Sequence, residues 1–191
     1  MQTTIKLNLN ETKVINRGTG AGGSNTNATG LKFEACTELN SEYSSAEKLP
    51  IGLRVTFGND SKQFISLRKA EFKRYMQNIN SLNNDLQDPH GCKQPDECYV
   101  NPDEKTITII EKKKQTESGS VCEKIQTGVM KRWHFQRKYS DYKINYVYTL
   151  SDWFKDNCKS ELEYLKHENI PVFWGDEADY KSKIIEFITN N

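Results

Sequence analysis

The sequence predicts an α/β fold, a central mixed β-sheet flanked by helices, and three observations predict it. Thr106, Ile107, Thr108, Ile109 and Ile110 form an unbroken β-branched run, which marks a strand covered on at least one face. Leu53 to Phe57 and Gln63 to Leu67 flank Gly58, Asn59, Asp60 and Ser61, the pattern of a β-hairpin. Helical patterns then alternate with single strands, beginning at Ser120 to Glu123, where S-x-x-E precedes an amphipathic run and caps a helix starting near Val121. The order helix, hairpins, helix, strand, helix, strand gives a sandwich around one sheet.

Residues 1–16 alternate apolar and polar side chains and suit an edge strand or an arm. Residues 17–30 are rich in Gly, Asn and Thr and read as a loop, so 1–30 is taken as an N-terminal arm and 31–191 as a single domain. Gly18, Gly20 and Gly23 have the spacing G-x-G-x-x-G, but no helix is expected to open at the last glycine and no βαβ unit surrounds it, which argues against a dinucleotide fingerprint. Leu31 to about Lys48 reads as a helix, with Leu31, Ala35 and Leu39 on one stripe and Glu34, Glu38 and Glu42 on another. After the hairpin, Lys69 to Leu82 is expected to be helical with Phe72, Tyr75 and Ile79 inward, and Asn83 to Lys93 has loop composition. The helix from Val121 is expected to run to about Tyr139 on an apolar stripe of Ile125, Val129 and Trp133. Ile144 to Leu150 is a strand, Ser151 caps a helix from Asp152 to His167, Pro171 to Trp174 is a short strand, and Tyr180 to Ile188 is a closing helix. Trp153, Phe154, Leu162 and Leu165 read as core.

A chain of 191 residues can bury a real core, and 27 basic against 26 acidic residues leave a net charge of +1. That balance excludes a wholly basic surface, though Arg68, Lys69, Lys73, Arg74, Lys112 to Lys114, Lys131, Arg132, Arg137 and Lys138 cluster locally. Cys36, Cys92, Cys98, Cys122 and Cys158 are odd in number and irregularly spaced, with no signal peptide before them, so the expectation is free thiols in a reducing cytoplasm. His90, Cys92 and Cys98 would begin a zinc site, but the usual paired C-x-x-C halves are missing. No apolar run approaches the ~20 residues of a membrane span.

The chemistry concentrates where the β-branched run ends. Glu111, Lys113 and Gln115 follow at a period of two, so in a continuing strand a carboxylate, an ammonium and an amide share one face. Upstream, Asn101 to Glu104 is a turn, and pairing Asn101 with Thr106 around it sets Asp96 opposite Glu111, with Cβ atoms roughly 5 Å apart. Two carboxylates at that spacing can share a hard divalent cation. Asp103, the other Pro-Asp residue, would lie about 26 Å from Glu111 along the strand and cannot.

Pro95 and Asp96, a spacer, then Glu111 and Lys113 resemble the PD-(D/E)XK nuclease superfamily. The likeness continues through Gln115, Ser118, Gly119, Ser120 and Val121 and through Leu150 to Phe154, and is to its type II restriction endonucleases. The resemblance implies a restriction-endonuclease-like core in which Asp96 and Glu111 hold Mg²⁺, with Mn²⁺ able to substitute, and Lys113 serves the attacking water. It also implies a carboxylate from the first core helix, carried onto Glu34; the other reading of Glu34 is a surface residue in an i,i+4 series. Gln115 would position water or phosphate, or simply end the strand. The partner implied is double-stranded DNA, cut at a short, palindromic site by a homodimer, with 5′-phosphate and 3′-hydroxyl products. Arg17, Ser24, Asn25, Asn27, Lys114, Ser118, Ser120, Lys124 and Arg132 are the candidate DNA contacts, with Lys131 and His134 on the same helix and His90 in the preceding loop. A repair or junction-resolving nuclease, or a catalytically dead DNA-binding module, would share parts of this pattern.

Overall fold

The β-branched run forms the first five residues of β5 (Thr106–Lys113) in the computed structural model, which describes residues 24–59, 61–79, 94–117 and 121–191. Around β5 the described residues build a seven-stranded sheet in sequence order: β1 (Tyr43–Lys48), β2 (Leu53–Phe57), β3 (Phe64–Leu67), β4 (Glu97–Asn101), β5, β6 (Lys143–Leu150) and β7 (Val172–Trp174). The first five strands run antiparallel, each to the next, while β6 and β7 add in parallel to β5. Parallel neighbours need crossovers, and helices supply them. The first crossover is α3 (Val121–Gln126) and α4 (Gly128–Lys138); the second is α5 (Trp153–Asn157) and α6 (Lys159–His167). These helices and α2 (Ala70–Asn78) cover one face through Phe72, Met76, Ile125, Phe135, Phe154 and Leu165. On the other face α7 (Tyr180–Asn190) packs Tyr180, Ile184 and Ile188 over Val55, Phe57, Tyr99, Ile110 and Val147, and α1 (Ser24–Cys36) lies against β5. The fold is therefore α/β, a mixed sheet with helices on both faces.

Several expectations change in the structure. The predicted helix over 31–48 ends at Cys36, where Thr37 Oγ1 donates to the Phe33 and Glu34 carbonyls at 2.7 and 3.2 Å, and residues 43–48 become β1. Pairing decided that: β1 takes up β2, with Ser44 and Ser45 hydroxyls on Thr56 Oγ1. In the other direction, Ser24 to Gly30 belong to α1 where a loop was expected, so the helix crosses the boundary placed at residue 30. In α2 it is Met76, not Ile79, that joins Phe72 in the core, and Ile79 is exposed.

Both long crossover helices are broken. The first divides at Thr127, and Gly128 then seats α4 directly on Tyr148: a Cβ there would lie 2.6 Å from Tyr148 Cε2. The break re-phases α4, turning His134 and Phe135 inward and leaving Trp133 exposed beneath the Arg137 guanidinium at 5.0 Å. The second divides at Cys158, which forms a disulfide with Cys122 of α3. The expectation of free thiols fails for this pair; Cys36 and Cys98 are free. Ser151 does not cap α5 with its side chain but clips Gln115, accepting its N–H at 3.1 Å and donating to its carbonyl at 3.2 Å. Among the described residues no helix is long and apolar enough to cross a membrane.

Gly128→Ala tests the seating of α4. Tyr148 is fully buried and has nowhere to retreat, so the added methyl should cost about 1–3 kcal/mol in urea unfolding. A midpoint equal to the parent's would show that α4 does not depend on this contact.

Candidate active site

Asn101 Oδ1 accepts the N–H groups of Asp103 and Glu104, both at 3.0 Å, and this Asx turn, with Lys105 in the left-handed region at φ 54°, returns the chain into β5. The resulting register pairs Asn101 with Thr106 and Glu97 with Ile110. One step further Asp96 faces the Glu111 end of β5, where its Oδ2 accepts the Lys112 backbone N–H at 2.8 Å. Asp103 stays in the turn, at the opposite end of the strand.

Lys113 Nζ lies 2.7 Å from Glu111 Oε1 and 3.7 Å from Asp96 Oδ2, and donates to the Lys112 carbonyl at 3.0 Å. A second ammonium arrives from α4, with Lys131 Nζ 2.9 Å from the same Glu111 oxygen. The Glu111 side chain is only 4 % exposed, whereas Asp96 and Lys113 keep 18 % and 27 %, so the cluster opens to solvent along their side. Burial pushes the Glu111 carboxyl upward, but the Lys113 and Lys131 ammoniums outweigh it and hold the group below the usual carboxylate range. Burial likewise works against the Lys113 charge, and Glu111, then Asp96, overcome it and raise its pKa. Tyr148, the register neighbour of Glu111 on β6, and Tyr146 are buried on the same side of the sheet. Burial first and the Glu111 charge second push both phenols up, so they stay neutral.

The opposite face of the same strand ends carries a second ionic cluster. Lys112 Nζ is 2.6 Å from Glu97 Oε2 with both side chains 2 % exposed, and Tyr99 Oη donates to Glu97 Oε1 at 2.5 Å. Tyr99 continues to Tyr43 at 3.0 Å and Tyr43 to Ser66 at 2.9 Å, while the Lys112 ammonium also donates to the Glu34 carbonyl at 3.4 Å. This contact ties α1 to β5. Glu34 thereby joins Asp96, Glu97, Lys112, Glu38, Arg68 and Lys69 around a cavity of about 260 Å³, with its carboxylate 3.6 Å from Lys69 Nζ.

Other candidates fall elsewhere. Gln115 lies past the end of β5 and its amide donates to the Glu117 carbonyl at 2.6 Å, so it does not continue the Glu111 face. Lys114 sits 3.8 Å from Asp176 and 5.3 Å over the Phe33 ring. Arg132 grips the end of α6 through the Glu168 and Asn169 carbonyls at 2.5 and 3.2 Å. Lys124 is exposed, and His134 is buried, which removes it from a DNA-facing surface. Arg17, His90, Cys92, Ser118 and Ser120 lie outside the described residues, as do the side chains of Ser24, Asn25 and Asn27. Cys98 is wholly buried in the core, with burial pushing its thiol up, and is no zinc ligand. Cys122, Cys158 and Glu161 are close enough to suggest a metal cluster, but the disulfide consumes both thiolates.

Sequence reasoning missed Lys131 as a neighbour of Glu111 and missed the Glu97–Lys112 pair. The second was recoverable: Asp96 and Glu97 precede the turn, Glu111 to Lys113 follow it, and alternation doubles the acid–base pairing onto both faces. A hard divalent cation fits the first cluster, since Asp96 and Glu111 supply oxygen donors and Glu111 already draws two cations onto one oxygen. No family model matches the chain, and no curated protein and no solved structure matches it either.

Proposed function

We propose that the chain is a divalent-metal-dependent endonuclease for double-stranded DNA, a type II restriction endonuclease of the PD-(D/E)XK kind working as a homodimer on a short, palindromic site. The observation that carries this reading is the convergence of Asp96, Glu111 and Lys113 on two paired strand ends, with an ammonium 2.7 Å from one carboxylate and 3.7 Å from the other.

Asp96 and Glu111 are the residues that would hold Mg²⁺ or Mn²⁺, while Glu34, its carboxylate on Lys69, lines the neighbouring cavity that Asp96 also borders. The bound cation supplies Lewis acidity at the scissile phosphate and a more acidic water. Lys113, partly exposed at the mouth of the cluster, orients the attacking water by hydrogen bonding and offsets the charge that grows on the phosphate. Asp96 is itself held by the Lys112 N–H, so its remaining oxygen is aimed by the sheet and not by a mobile loop. Hydrolysis leaves a 5′-phosphate and a 3′-hydroxyl.

The test is incubation of the purified protein with bacteriophage genomic DNA and Mg²⁺ beside Asp96→Ala/Glu111→Ala. Discrete fragments from the parent alone are the expected result. A smear would move the assignment to a repair or nonspecific nuclease, and equal cutting by the double variant, or none by the parent in Mg²⁺ or Mn²⁺, would remove this site.

A further inference from the structure

Glu111 Oε1 is contacted by two ammoniums of different origin. Lys113 comes from the same strand and also reaches Asp96 and the Lys112 carbonyl. Lys131 comes from a crossover helix, and its placement is built in. Gly128 sets the start of α4 against Tyr148, Tyr148 pairs with Glu111, and Lys131 follows Gly128 by three residues on the same helix face. The Lys131 side chain is 13 % exposed, so its charge is directed into the protein toward one carboxylate oxygen.

We propose that Lys131 is a positioning residue that acts as the resident counter-cation of Glu111, occupying the carboxylate until a divalent cation displaces it. The inference rests on the metal-dependent reading of the site. Charge balance supports it: Asp96 and Glu111 supply two negative charges, and Lys113 and Lys131 neutralise both. A divalent cation entering that neutral cluster leaves an excess of two positive charges around the buried Glu111 carboxylate, so an ammonium must give way. Lys113 is held by three partners, whereas Lys131 contacts Glu111 and swings from a separate element. Released, it remains near the strand ends where a phosphate would bring compensating charge. Metal affinity without DNA is therefore kept weak by design of the fold, and metal and DNA bind with positive coupling.

Mn²⁺ binding measured by calorimetry without DNA tests this independently of cleavage, on the parent, Lys131→Met, Lys131→Arg and Asp96→Asn. Methionine keeps the apolar stem and removes the charge. Lys131→Met should bind Mn²⁺ on the order of tenfold more tightly than the parent, and Lys131→Arg, which keeps the cation, should stay near the parent. DNA should strengthen Mn²⁺ binding less in Lys131→Met than in the parent. Unchanged or weaker Mn²⁺ binding by Lys131→Met, while Asp96→Asn still abolishes binding, overturns the role of Lys131 alone. Binding that survives Asp96→Asn intact removes the metal site itself and this inference with it. Tighter binding by Lys131→Arg would also overturn the proposal, because the cation would then not be what competes.

Discussion

Asp96→Asn should cut DNA on the order of 10²- to 10³-fold more slowly than the parent at saturating Mg²⁺, with a melting temperature close to the parent's. The two readouts separate because Asp96 has two jobs. As an acceptor for the Lys112 N–H at 2.8 Å it fastens the strand ends, and an asparagine carbonyl oxygen can take over that bond. As an anion beside Glu111 it would hold a cation, and asparagine cannot replace the charge. Glu111→Gln is the less discriminating variant, since it leaves Lys113 and Lys131 facing a neutral group and perturbs folding as well as chemistry. Quantitative fragment yields over time, with melting curves of both proteins, would check this. Parent-like cleavage by Asp96→Asn would mean that the cluster is not the catalytic centre.

Lys112→Ala should destabilise the protein by about 3–5 kcal/mol, and Glu97→Ala by a similar amount, because each leaves its partner charged in a place that water does not reach. Loss of Glu97 also removes the acceptor of the Tyr99 hydroxyl and of the Leu39 N–H at 3.5 Å, so damage spreads from the sheet to the chain entering β1. The double variant Glu97→Gln/Lys112→Met removes both charges and should recover much of the loss. Urea unfolding of the two singles and the double, treated as a double-mutant cycle, gives the coupling. Additive losses would show that the pair does not act as a unit.

The hairpin that builds the site was legible because its determinants are local. Asn101 and Pro102 make the turn, β-branched residues make the strand, and a period of two places Glu111 and Lys113 together. Lys131 was not placed at Glu111, because its direction depends on where the crossover helix breaks. A continuous helix carrying Ile125, Val129 and Trp133 inward has a different phase from one restarted at Gly128, and only the distant Tyr148 ring reveals the break. The same holds for β1, where glutamates at helical spacing resembled a helix until β2 offered a ladder of hydrogen bonds. Cys158 gave no local sign that it would divide α5 from α6 or bond to Cys122.

The two ionic clusters on opposite faces of β4 and β5 act together as a parity check on strand pairing. A slip of one residue would carry every β5 side chain to the other face, leaving Asp96 with two cations, Lys112 and Lys131, and bringing Glu111 and Lys113 into the compartment of Glu97 and Tyr99, which would then hold one carboxylate too many. Both compartments would then hold mismatched charge at once, and the error could not be relieved on one side without worsening the other. A chain that passes this check has already aligned Asp96, Glu111 and Lys113, so assembly of the candidate active site and correct folding of the sheet are a single event.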